Sequence, residues 1–182
     1  GKIEFILSEQ NEIRIRGSRC KLWLTLNNES YDHIISHENN NWEFNSYSKH
    51  IKSMFVPLAG KTNVIAPWNE ERSEKVQVEL SDDNIECVLH FYKGVYLPKK
   101  EYEKFDSCLE AVNNDFNKWI SSFPTPKDYN YENNLAAYVL WNNVVFSEGV
   151  LSHDSVYMSK NWMTNIWSWD NCFVAMSLIE NH

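Results

Sequence analysis

Long apolar runs, paired cysteines and an excess of basic residues are missing from this sequence, and each absence excludes a class of protein. No stretch approaches eighteen uninterrupted apolar residues, so a membrane-spanning helix is not expected. The charge balance is 17 Lys+Arg against 25 Asp+Glu, a net charge of −8. This balance provides no basic face for phosphate groups, so we expect neither nucleic acid nor an anionic membrane as a partner.

The N-terminal residues alternate polar and apolar side chains and do not form the continuous apolar segment of a secretory signal. The predicted location is therefore cytoplasmic, with export left open if the native N-terminus is missing. The cysteines are too far apart for a C-x-x-C pair, and a chain of this length does not need disulfides to form a core. We expect reduced thiols at all four positions, which are Cys20, Cys87, Cys108 and Cys172.

Glycine is also scarce, with 5 residues in the chain, so Asn and Asp are predicted to take the turn positions that need left-handed backbone angles. The histidines show no i, i+4 pairing on a credible helix, and the chain has no Gly-rich phosphate loop. We therefore predict no metal site and no organic cofactor.

A polar–apolar alternation with a period of two runs through the first half of the chain. The clearest runs are residues 13–16, 20–26, 76–80 and 85–92. Polar turns are predicted at 27–29, 39–41 and 81–84. This spacing predicts an antiparallel β-sandwich over residues 1–98, in which each strand has one face in water.

After Pro98 the period changes to three and four residues. This period predicts a helix from about residue 100 to 122, whose apolar face carries Tyr102, Phe105, Leu109, Val112, Phe116, Trp119 and Ile120. We interpret residues 99–123 as a linker helix, ended by Pro124 and Pro126. Further helices are predicted at about 131–145 and from about Trp169 onward, separated by a loop at 146–166, so the fold class is α+β.

The most informative stretch is WSWDNCF at residues 167–173. Flat apolar rings accept the C–H faces of a pyranose, and an ionised Asp in the first turn of a helix accepts hydrogen bonds from its hydroxyls. Trp167, Trp169, Asp170 and Phe173 are therefore candidate sugar-binding residues. In the alternative interpretation, Asp170 only caps the helix and the tryptophans fill a core.

The wider region from residue 134 to 178 contains AAYVLWNNVV, then a Gly-containing loop, then YMSKNWMTNIWSWDNCFVAMSL. It resembles the first helices of the catalytic barrel in glycoside hydrolase family 63 and its relatives, and Trp-x-Trp-Asp-x-x-Phe is the most specific part. The resemblance implies an (α/α)6 barrel that follows a β-sandwich and a helical linker. It also implies that Asp170 binds hydroxyls in the glycone subsite with Trp169 stacked beside it. Lys160 and Asn161 match the pattern upstream, where they either donate hydrogen bonds to the sugar or close a turn.

The resemblance further implies that the catalytic acid and base lie on later barrel elements, outside this sequence. Twelve helices of roughly 12 residues with connections of about 5 need about 200 residues, so residues 124–182 are expected to be the start of a truncated barrel domain. Glu148 and Asp154 precede the motif, but exposed loop acids are usually solvated. The expected intact protein is an inverting α-glucosidase-type enzyme that hydrolyses oligosaccharides or small glucosides, and this fragment of it is expected to be inactive.

Two other functions fit the sequence. In the first, the sandwich is a non-catalytic carbohydrate-binding module that uses Trp23, Trp42 or Trp68 as a platform. In the second, it is a structural lid on the barrel. Exposed and coplanar tryptophans favour the module, whereas tryptophans buried against helices favour the lid. In a truncated barrel, some apolar surfaces would lack their partner helices, namely the helix faces with Trp141 and Met176 and the segment with Trp167. These surfaces would be exposed, so self-association is expected.

Overall fold

The computed structural model describes residues 1–96, 99, 101–123, 128–159 and 161–178. Three prolines that mark predicted boundaries (Pro98, Pro124 and Pro126) and the candidate site residue Lys160 lie outside these ranges. The chain divides into two compact units, unit 1 at residues 1–112 and unit 2 at residues 113–182.

Unit 1 is built around a six-stranded antiparallel sheet with the strand order β1-β2-β6-β5-β4-β3. The strands are β1 (Lys2–Glu9), β2 (Glu12–Leu26), β3 (His33–Ser36), β4 (Trp42–Ser46), β5 (Ile51–Ile65) and β6 (Val76–Tyr92). A short 3-10 helix, Glu38–Asn40, joins β3 to β4. The predicted antiparallel pairing of the strands is therefore confirmed.

The described chain also contains three α-helices, and the fold is mixed α+β as predicted. They are α1 (Phe105–Ser121), α2 (Asn130–Asn143) and α3 (Ser168–Leu178). A small hairpin of β7 (Val144–Val145) and β8 (Ser155–Val156) lies within the region predicted as the end of the second helix and the following loop. Residues 101–104, predicted as helix, are not helical, because the Glu103 carbonyl accepts a hydrogen bond from Arg14 on the sheet (2.6 Å).

Two pairs of predicted strands are in fact single long strands. The turn predicted at 81–84 is wrong, because β6 continues through it and pairs Ser81 with Lys21 and Asp82 with Cys20. The exposed polar side chains of this stretch resemble a turn in sequence, while the backbone stays in the hydrogen-bonded ladder.

The sheet bends sharply at this polar stretch. Leu80 and Ile85 are five residues apart on β6, a separation of roughly 16 Å in a regular strand. Both nevertheless lie beside Gly60 of β5, within 3.2 and 3.0 Å of the position that a Cβ atom would occupy. Gly60 has φ +100°, which a side chain would strain, so glycine permits both the backbone angle and the close approach.

Because of this bend, both halves of the long strands face one apolar core. Its buried members are Ile15, Leu22, Phe55, Val76, Val78, Leu80, Ile85 and Cys87. Burial raises the pKa of the Cys87 thiol to about 12, and all four cysteines are free thiols.

The opposite face of the sheet is covered as well, so the prediction of a solvated polar face is wrong for Glu12 and Arg14, which are 3% and 1% exposed. Arg14 donates to the Glu103 carbonyl, contacts Cys108 Sγ at 3.2 Å and forms an ion pair with Glu86. The segment that leads into α1 covers this face. Arg14 is therefore shielded from water and contacts protein groups on this segment and on β6.

The prediction that Asn supplies left-handed turn residues is confirmed at Asn39 (φ 58°) and Asn40 (φ 60°). Tyr31 (φ 68°) and His50 (φ 51°) also adopt this conformation, although the sequence gives no sign of it.

A second polar network, which is partly buried, joins β2 and β6 to the covering segment. Lys99 Nζ lies 2.7 Å from Glu12 Oε2, and His90 Nε2 lies 3.0 Å from the Tyr102 hydroxyl. Burial alone would raise the pKa of Glu12, but hydrogen bonds from Lys99 and Ser8 and the charge of Lys99 outweigh it, so this pKa is lowered. Burial lowers the pKa of His90, against the opposing effect of Glu12.

The free energy of unfolding is expected to fall in two steps as the pH is lowered. The first step begins near pH 6.5, the ordinary His pKa, because His90 binds a proton at a higher pH in the unfolded chain than in the folded protein. The second begins near pH 4.5, the ordinary Glu pKa, because protonation removes the stabilised carboxylates of Glu12 and Glu43, whose pKa values are both lowered. Urea unfolding between about pH 8 and 3 measures both steps.

The matched controls for this experiment are two histidine variants. His90→Gln should abolish the first step and leave the second, while His153→Gln, at an exposed position, should retain both. A constant free energy of unfolding between pH 7.5 and 5 would contradict the assignment to His90.

Within unit 2, the second half of α1 packs against α2. The Phe116 ring contacts the rings of Tyr138 and Trp141 with centroid distances of 5.8 and 5.2 Å, and Trp141 Nε1 donates to Asp115 (3.1 Å). Trp141 was expected on a face without a partner, but it has one in α1.

Candidate functional site

The start of α3 is attached to strand β8 through one side chain, that of Asn171. Its amide nitrogen donates to the carbonyls of Val156 (3.1 Å) and Trp167 (3.0 Å), and its amide oxygen accepts from the Val156 N–H (2.9 Å). These bonds fix the first turn of α3, which carries the motif. Sequence reasoning missed this role, because nothing in the composition of the motif points to a partner fifteen residues away.

Two aromatic rings of the motif form an exposed pair on α3. Trp169 and Phe173 are 72% and 56% exposed, and their rings meet edge to face with centroids 5.2 Å apart. Trp167, just before the helix, is exposed too, and no described residue of α3 is buried. Among the described residues, the two tryptophans of the motif are therefore exposed and do not fill a core.

Asp170 lies between the two rings in sequence, in the first turn of α3 and half-buried. Its carboxylate has no hydrogen-bond or ion-pair partner among residues 1–96, 99, 101–123, 128–159 and 161–178, so a capping bond from this side chain is not observed there. A negative charge in the first turn is stabilised by the helix dipole. On the helix surface, residues 170 and 173 are neighbours, so an acceptor stands beside an exposed ring.

The other predicted residues have separate positions. The Asn161 side chain is exposed, and its backbone N–H donates to Ser159 Oγ (3.1 Å), which is the turn-closing arrangement. Asp154 accepts from the Ser147 N–H (2.8 Å) and closes its own loop. In the part of the chain that the structure describes, neither the Glu148 nor the Asp154 side chain forms a hydrogen bond with a residue of the motif at 167–173.

The tryptophans of unit 1 differ in exposure. Trp23 and Trp68 are exposed, whereas Trp42 packs against the core. The Trp68 ring stands edge-on to His33 with centroids 6.5 Å apart. A carbohydrate-binding module that uses Trp23 or Trp68 stays a prediction.

The described residues contain no group of three or more His, Cys, Asp or Glu side chains that could hold a metal ion. They also contain no helix with the length and apolar character needed to cross a membrane.

No family model, curated protein or solved structure matches the chain.

Proposed function

We propose that this chain is part of a family-63-like glycoside hydrolase and that α3 carries part of its sugar-binding surface. The observation that supports this most directly is the exposed Trp169–Phe173 pair beside a carboxylate that has no partner in the described residues. The intact enzyme would be an inverting α-glucosidase-type hydrolase acting on oligosaccharides or small glucosides.

In this proposal each residue of the site has a binding role. The ring faces of Trp169 and Phe173 accept the C–H surface of a glucosyl unit, and Asp170 accepts hydrogen bonds from two neighbouring hydroxyls. Trp167 and Asn161 flank the subsite. Asn171 positions it, because its three hydrogen bonds hold the first turn of α3 against β8.

The proposal extends to the domain organisation. The two halves of the bent sheet in unit 1 would be the layers of a β-sandwich, α1 would be the linker helix, and α2 and α3 would open an (α/α)6 barrel. The exposed apolar side chains of α2, such as Leu135 and Val139, support this proposal, since helices of a barrel bury such faces against neighbouring helices.

Sugar binding by the chain itself tests the proposal. Titration with maltotriose, followed by NMR or calorimetry, should show weak saturable binding. Trp169→Ala should weaken it by about 3- to 10-fold, because an aromatic contact contributes about 0.5–1.5 kcal/mol beyond buried area.

The matched control for this titration is Trp162→Ala. Trp162 is 80% exposed and lies outside the Trp-x-Trp-Asp-x-x-Phe core, so its removal should leave the affinity unchanged. Equal affinities for both variants, or no binding by the parent chain at millimolar sugar, would refute a subsite on α3.

Self-association through α3 is a further expected result. The exposed rings of Trp169 and Phe173 and the Met176 side chain form an apolar helix face, and exposed apolar patches promote association. Sedimentation equilibrium should show a mass that rises with protein concentration. A Phe173→Ser/Met176→Ser variant should shift the protein to monomer, while Trp23→Ser in unit 1 should not. A parent chain that stays monomeric at high concentration would contradict this expectation.

A further inference from the structure

A partly open cavity of about 300 Å³ lies beside the apolar core of unit 1, and the proposed sugar site does not use it. One part of its wall follows from the strand register. Phe44, Ser53 and Phe91 are direct partners on β4, β5 and β6, and Trp42 and Phe55 are partners in the next row. Paired residues project from the same face of a sheet, so these side chains form one wall that is mainly aromatic, with Ser53 between Phe44 and Phe91.

The other half of the bent sheet completes the cavity. Leu24 of β2 and Val78 of β6 are register partners there, and both line the same space. Trp23, which is exposed, also contributes atoms to the lining. Residues from both halves of one sheet therefore form the walls of a cavity that is partly open to solvent.

The lining restricts the chemistry of an occupant. None of the lining residues is charged, so an ion that entered would lose its hydration without gaining a counter-charge. The polar members are Thr25 and Ser53, and the Ser53 hydroxyl has no hydrogen-bond partner among the described residues. An uncharged ligand would gain dispersion contacts with the rings and one hydrogen bond at Ser53.

The volume of the cavity restricts the size of an occupant. Small-molecule sites span about 300–1,000 Å³, so this cavity lies at the small end of that range. A stable protein partner needs an interface of about 1,000 Å² or more with well-packed surfaces, which a cavity of this size inside one sheet does not provide. We propose that unit 1 binds an uncharged, mainly aromatic molecule of one or two rings, carrying a single hydrogen-bonding group, between the halves of its bent sheet.

The neutral fluorescent probe N-phenyl-1-naphthylamine tests this site. It should bind the parent chain saturably with one site per chain. Ser53→Phe, which places a ring between Phe44 and Phe91, should weaken binding at least 10-fold. Asn63→Phe adds the same ring to the same strand at an exposed position outside the cavity lining, and it should leave binding unchanged.

Circular dichroism and urea unfolding show whether each variant is folded. If Ser53→Phe does not fold, Ser53→Val serves instead and should weaken binding by a smaller factor. Trp169→Ala should bind the probe like the parent, which separates this site from the sugar site on α3.

Two outcomes would overturn the proposal. The first is equal probe binding by the parent and a folded cavity-filling variant, which would place the probe on another surface such as α3. The second is binding of the anionic probe 8-anilinonaphthalene-1-sulfonate as tightly as the neutral one, because a lining without charge should disfavour the sulfonate.

Discussion

Replacement of Arg14 by alanine is expected to lower the free energy of unfolding by about 3–5 kcal/mol, the range for breaking a buried ion pair. The guanidinium is 1% exposed and is the shared partner of the Glu86 carboxylate, the Glu103 carbonyl and the Cys108 thiol. Its removal leaves these groups without their donor and opens a cavity under the segment that leads into α1. Urea unfolding at neutral pH measures the loss.

Lys21→Ala provides the matched comparison for Arg14→Ala. Lys21 forms an ion pair with Glu79 across the same sheet, but 63% of the Lys21 side chain is exposed. Exposed pairs contribute about 0–1 kcal/mol, so this variant should be close to the parent in stability. If both variants lost less than about 1 kcal/mol, the Arg14 network would not hold the covering segment on the sheet.

Asp170→Asn is expected to lower kcat/KM by about 30- to 1,000-fold in an active glycosidase that contains this chain, because a desolvated charged hydrogen bond contributes on the order of 2–4 kcal/mol. The amide keeps the shape of the side chain but loses the charge that accepts two hydroxyl hydrogen bonds. The pH optimum should stay in place, since the proposed role is to bind sugar and not to transfer protons. In the isolated chain, the same substitution should weaken maltotriose binding.

The control for this substitution is Asp154→Asn. The Asp154 carboxylate accepts the Ser147 N–H within its own loop, so this variant should retain the parent kcat/KM. Loss of the acidic or basic limb of the pH–rate profile in Asp170→Asn would assign Asp170 to the catalytic pair instead. Parent kinetics in Asp170→Asn would remove it from the sugar site.

Local patterns in the sequence predicted part of the secondary structure and some of the turn residues. Alternation located β2 and β6 but not β1, β3, β4 or β5, and three- and four-residue spacing located the helices within a few residues. The scarcity of glycine pointed to Asn39 and Asn40. It did not predict that β6 continues through residues 81–84, because an exposed polar run has the same composition whether its backbone turns or stays in a ladder.

Tertiary partners explain the remaining differences. The burial of Arg14 depends on Glu103, which is 89 residues away, and the role of Asn171 depends on Val156. The cavity between the sheet halves depends on a bend at Gly60. The φ of +100° at this glycine cannot be predicted from the residue type alone. The exposure of Trp169 and Phe173 likewise depends on which partners reach α3. Such features arise from the register of distant segments, which local periodicity does not encode.

The bend at Gly60 also has a consequence for the order of folding events. In a sandwich of two separate sheets, each layer is brought to the other by its own connection, and each connection adds a loop-closure cost. Here Leu80 and Ile85 bring the two halves of one sheet together across five residues of one strand. Once β2 and β5 have paired with β6, the halves meet without closing another long loop. Chain entropy should therefore oppose strand pairing more than it opposes the docking of the two halves.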